Sequence, residues 1–99
     1  MLLLNFVISI VSKLSTKSKI ELFVIEKAKG LREKAKISQS ELAFKIGVSN
    51  GFVGQVESSK FPAKYSLDHI DKLAKIFNCS PKDFMPASSI NKDSEEPLP

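Results

Sequence analysis

The chain has 99 residues, 42% of them hydrophobic and 26% charged, the mix of one small folded domain rather than of a disordered chain or of two domains. Fifteen Lys and Arg against eleven Asp and Glu leave a net charge of +4, and the excess lies in residues 1–60, where ten cations stand against five Glu; this suits either a polyanionic partner or a solvated helical surface with spare lysines. One Cys and one His exclude a disulfide framework, a multi-cysteine metal centre and most histidine metal sites, and four Gly without phosphate-loop spacing argue against a nucleotide-binding enzyme.

Residues 1–11, MLLLNFVISIV, are nearly all apolar. A membrane-spanning helix needs about 20 such residues. A signal peptide needs a basic stretch ahead of its apolar run, and none precedes this one. Four readings stay open: a helix that covers the core, a partner-binding segment, a weak anchor, or a true start further downstream. Val11 is the candidate for such a start, because Ser12 onward is polar and lysine-rich.

The first helix is predicted from about Ser18 to Ala35. Ser18 and Glu21 have the spacing of a capping box, and Val24, Ala28, Leu31 and Ala35 make one apolar stripe. Gly30 inside it weakens the helix by ~1 kcal/mol relative to Ala. The second helix starts at Ser38, again with a capping-box partner in Glu41, buries Leu42, Ala43 and Ile46, and stops at Gly47, where a left-handed backbone is needed. The third follows at once, with Ser49 as its cap and Val53 and Val56 facing inward. Two helices joined by Gly47-Val48-Ser49 cross steeply, which is a helix-turn-helix. After a loop containing Pro62, Ser66 caps a fourth helix with Leu67, Ile70, Leu73, Ala74 and Phe77 on its apolar face. Ser80-Pro81-Lys82-Asp83 opens a short fifth helix, closed by Pro86. Residues 87–99 lack periodicity and read as a disordered tail. The expected division is a 1–17 extension, an all-α domain over 18–86 and the 87–99 tail, with no strand pattern and no repeat.

The segment from Gln39 to Ser58, QSELAFKIGVSNGFVGQVES, carries most of the information. Ala43 is small where the third helix crosses. Val48, Val53 and Val56 fill the angle between the helices. Ser49 exposes the amino end of the third helix, whose N–H groups can meet a phosphate, and the residues after it project outward.

This segment resembles the lambda-repressor and Cro type of helix-turn-helix, the XRE family. The shared pattern includes Gln39, Glu41-Leu42-Ala43, Gly47-Val48-Ser49, Phe52-Val53, Gln55-Val56-Glu57 and Lys60, with Leu31-Arg32 upstream and Leu67, Leu73-Ala74 and Phe84 downstream. The resemblance implies a five-helix bundle that binds double-stranded DNA, often as a dimer on palindromic sites. It implies that Ser49, Asn50, Gly51 and Gln55 read base edges, and that Gln39, Phe52, Lys60, Lys64 and Tyr65 lie along the phosphate backbone. It also implies a partly buried ion pair between Arg32 and Glu57 that ties the first helix to the third. Gly51 and Gly54 depart from the pattern and weaken the third helix. That helix holds no Arg or Lys, so bidentate reading of guanine is not expected, and Asn50 and Gln55 lean toward adenine.

The expected function is therefore a cytoplasmic, sequence-specific DNA-binding transcriptional regulator, with no cofactor, no metal and no enzymatic activity. No nucleophile, base and orienter come together in the sequence. His69, beside Asp68 and Asp71, reads as a surface residue, and Cys79 as a small buried apolar one. The rival readings are an antitoxin that joins DNA binding to toxin binding, and a protein-interaction or membrane-tethered helix-turn-helix module. A homodimer and a protein partner both stay open.

Overall fold

The computed structural model of the chain describes residues 3–4 and 16–90. The candidate start at Val11, most of the apolar extension and residues 91–99 lie outside the described residues. Among the described residues, 3–4 are helical, and from residue 16 onward four α-helices and one 3-10 helix follow in order: α1 (Lys19–Lys34), α2 (Gln39–Ile46), α3 (Phe52–Glu57), α4 (Leu67–Ile76) and the 3-10 helix Pro81–Phe84. There is no strand among the described residues. No helix among them is long and apolar enough to cross a membrane.

Local hydrogen bonds explain most of the boundaries. Ser18 Oγ accepts from the Glu21 N–H at 3.2 Å, and the Ser18 N–H donates to Glu21 Oε1 at 2.8 Å, so the capping box of α1 is complete. At Ser38 only half of the expected box is present: Ser38 Oγ accepts from the Glu41 N–H at 3.0 Å. Lys36 ends α1 in the left-handed region at φ 60, and the Lys36 and Ile37 N–H groups bond back to Glu33 and Arg32. Gly47 ends α2 at φ 88, a conformation that needs no Cβ.

Two elements differ from their predicted form. The third helix, expected from Ser49 to Ser58, spans only Phe52–Glu57. Ser49 is not its cap: Gly51 holds that position without a side-chain hydrogen bond, and the Phe52 N–H bonds to the Ser49 carbonyl at 3.0 Å. Asn50 and Gly51 therefore form a tight turn, and Gly51 has neither the helix propensity nor the side chain to extend α3 backward. The fifth helix is a single 3-10 turn. Ser80 caps it and Pro81 opens it, but Met85 is already extended, because the residue before a proline, here Pro86, is pushed out of the helical region.

The core lies where α1, α2, α3 and α4 meet. Leu42, Ile46, Val53, Val56, Leu73 and Phe84 are the largest fully buried side chains, each stabilising the fold by roughly 1.5–3 kcal/mol. Phe84 reaches the core from the 3-10 helix, which packs on α4 and α1. Leu67, placed on the apolar face by periodicity, is 77% exposed; Ser66 and Asp68 are exposed with it, so α4 meets the core only from His69 and Ile70 onward. The stripe predicted for α1 is also incomplete. Val24 and Ala28 are buried, but Ala35 is exposed, and Leu22, Phe23 and Ile25 are buried as well. A second apolar cluster accounts for part of this: Leu22 and Phe23 face away from the main core and are covered by Leu4 and Ile90. Cys79 is half-buried, and burial pushes its thiol above the ordinary value, with Asp83 adding to the effect.

Candidate functional site

The turn between α2 and α3 is built by small and branched residues. Ala43, fully buried, lets α3 approach α2. Val53 and Val56 seal the angle from the α3 side, and Val48 packs against the same core. With those valines turned inward, Ser49, Asn50, Gly51 and Gln55 are all exposed. The four residues expected to read bases thus share one uncharged surface around the start and outer side of α3.

Beneath that surface lies a polar network. Arg32 on α1 donates from Nε to Glu57 Oε2 at 2.9 Å and from Nη2 to Glu57 Oε1 at 3.0 Å, a two-pronged pair. Its Nη1 donates to the Ile37 carbonyl at 2.9 Å. The two side chains are 11% and 4% exposed. Gln39 completes the network, donating from Nε2 to Glu57 Oε1 at 2.9 Å. A Cβ at Gly54 would sit 3.1 Å from Gln39 Oε1, so the Gln39 side chain would have to give by a few tenths of an ångström. Gln39 thus passes close over α3 at Gly54.

The remaining predicted residues divide. Lys60 is exposed, and its N–H donates to Ser58 Oγ at 3.1 Å. Lys64 is half-exposed and its Nζ lies 2.8 Å from Glu21 Oε2. Burial alone would raise the Glu21 carboxyl, but hydrogen bonds from Lys64 and Ser18, with the charge of Lys64, hold it below the ordinary value. Tyr65 does not line the surface at all: it is 8% exposed and belongs to the core. Its hydroxyl is the one buried side-chain polar atom without a partner among the described residues, and burial, with Glu57 adding, pushes it well above the ordinary tyrosine value. Phe52 is half-buried, with its ring centroid 6.2 Å from that of Tyr65 and 5.2 Å from that of His69.

Two side chains have roles that sequence reasoning missed. His69 is not a bare surface residue. Its Nδ1 accepts from the Ser66 N–H at 3.1 Å while its own N–H donates to Ser66 Oγ, so it closes a capping box at α4. The Ser-x-x-His spacing carries that signal once His is admitted as an acceptor beside Glu and Gln. Lys17 is 4% exposed, and its Nζ lies 3.3 Å from the Gln55 carbonyl and 2.5 Å from each of the Val56 and Ser58 carbonyls. Burial pushes this ammonium below the ordinary lysine value, and Glu21 offsets part of the effect. No local pattern announces such a contact.

A family model described as helix-turn-helix matches residues 29–84, more than half of the chain. No curated protein and no solved structure matches it.

Proposed function

The chain belongs to the XRE type of helix-turn-helix family, and from that premise we propose that it is a sequence-specific, double-stranded DNA-binding transcriptional regulator with α3 in the major groove. One observation carries the reading: Ser49, Asn50, Gly51 and Gln55 are exposed together on a surface whose underside is held by Arg32, Glu57 and Gln39. A base-reading surface must be rigid, because hydrogen bonds to base edges lose strength quickly with misalignment. Asn50 and Gln55 supply side-chain amides, which pair with adenine N6 and N7, each good pair discriminating by ~1–3 kcal/mol.

In this reading Lys60 meets a phosphate, and Gln39 does so with its backbone N–H in the first turn of α2, its side chain being engaged by Glu57. Lys64 reaches a phosphate only by leaving Glu21. Phe52 serves the site from behind, by packing on Tyr65 and His69. Two copies on a two-fold symmetric site are part of the proposal, and the stoichiometry of the bound complex tests that part. Phe44 and Leu67, 85% and 77% exposed, favour a second reading in which the domain binds a protein.

Selection from a random duplex pool, followed by titration of the selected and a scrambled duplex at several salt concentrations, tests the proposal. Gln55→Ala should cost roughly 1–3 kcal/mol on the selected duplex and much less on the scrambled one. Lys60→Ala should weaken both alike and lower the salt slope by about one. Equal weakening of both duplexes by Gln55→Ala rejects α3 as the reader.

A further inference from the structure

We infer that Lys17 is a positioning residue for the base-reading surface: its ammonium grips the carboxyl end of α3 and sets the backbone from which Gln55 projects. The inference rests on the reading of α3 as the DNA-facing helix.

α3 has little of its own to hold it. It is six residues long, its amino end has no side-chain cap, and its last turn contains no basic residue. A helix this short is not stable alone, and its last carbonyls lack donors within the helix, that of Gln55 accepting one bond from the Ser58 N–H just beyond it at 3.2 Å. Lys17 supplies the missing cation from 38 to 41 residues upstream, donating to Gln55, Val56 and Ser58. A positive charge at a helix carboxyl end both satisfies the carbonyls and opposes the helix dipole. Lys17 lies upstream of the residues that match the family, so this clamp belongs to the flanking segment.

The clamp bears on reading through Gln55. The same residue offers its carbonyl to Lys17 and its exposed side chain to solvent. Arg32 and Gln39 fix α3 by a side chain, that of Glu57, whereas Lys17 fixes it by its backbone. Without the ammonium, three carbonyls at a half-buried helix end lose a donor, and the backbone of α3 can shift about its Val53 and Val56 contacts while Glu57 keeps its side-chain tether. Paired hydrogen bonds to a base edge do not survive such a shift. A lysine attracted to a phosphate as a point charge does.

The test uses the full chain carrying Lys17→Met, which keeps the length of the stem without the donors, and Lys17→Arg, which restores a cation. Amide hydrogen exchange is measured on each, together with affinity for the selected and scrambled duplexes across salt concentrations. Lys17→Met should speed exchange at Val56 and Ser58 while Leu42 and Leu73 stay protected. It should weaken the selected duplex by about tenfold, leave the scrambled duplex within about twofold, and keep the salt slope. Lys17→Arg should recover most of the loss. Unchanged exchange at Val56 and Ser58 overturns the clamp, whatever happens to DNA binding. Equal loss on both duplexes with a lower salt slope makes Lys17 a phosphate contact and overturns the positioning role. Faster exchange in a protein whose wild type prefers no duplex rejects α3 as a reader and, with it, the positioning role, while the clamp itself stands.

Discussion

Arg32→Ala removes three hydrogen bonds at once, two to Glu57 and one to the Ile37 carbonyl. Glu57 cannot escape to water, because its side chain is only 4% exposed. It keeps one amide donor, Gln39 Nε2. Stranding one member of a buried ion pair costs about 3–5 kcal/mol. The remaining Gln39 bond and the 11% exposure of Arg32, which lets water reach the vacated space, place this case at the low end, about 3 kcal/mol. For a domain of this size, urea slopes of about 1 kcal/mol per molar turn that into a midpoint lower by about 3 M. The assay is urea denaturation followed by helical circular dichroism. It is repeated on Glu57→Ala and on the double variant, so that a coupling energy can be drawn from the cycle. The two single variants should each lose far more than a surface change does, and the double variant should lose much less than their sum. A midpoint lowered by less than about 1 M for Arg32→Ala, or additive losses in the cycle, refutes the view that this pair seats α3 on α1.

Gly30 faces open space in α1, with nothing within 4 Å of a Cβ built there; Gly30→Ala should raise stability by about 0.5–1 kcal/mol, read from the same denaturation curves. The Glu21 carboxyl is held below its ordinary value of 4.5 in the folded chain, so the stability it adds is complete above that pH and is lost as pH falls through the folded value. Glu21→Gln should therefore flatten the acid side of the stability profile below about pH 5 and leave its neutral-to-basic side unchanged in slope, and a full acid limb in that variant contradicts the ion pair with Lys64.

What was legible in the sequence was what is written locally. Ser18, Ser66 and Ser80 begin helices because a hydroxyl three residues before an acceptor solves a local hydrogen-bonding problem. Gly47 ends α2 because the turn needs positive φ. The Arg32–Glu57 pair was reachable only through the family resemblance, since no periodicity joins residues 25 apart. Lys17 was not reachable at all, because its partners are backbone carbonyls 38 to 41 residues away and carbonyls carry no sequence signature. Tyr65 misled because a loop tyrosine next to a lysine looks solvent-facing, whereas its ring fills the core beside Phe52 and His69. Ser49 misled because a serine after Gly-Val matches a cap, and only the Asn50-Gly51 turn shows that α3 starts later. In α1, periodicity assumes one buried stripe, and this helix buries two.

That second stripe bears on how the domain can be handled as a fragment. A piece cut at 18 and 86, where the capping and proline signals mark the helical domain, keeps α1 to α4 and the 3-10 helix but strips Leu4 and Ile90 from Leu22 and Phe23. A phenylalanine and a leucine side by side on one helix would then meet water, and such a patch is relieved by self-association. Apparent dimerisation of a trimmed domain would therefore report the cut, and only a piece retaining residues 4 and 90 can report how this protein assembles.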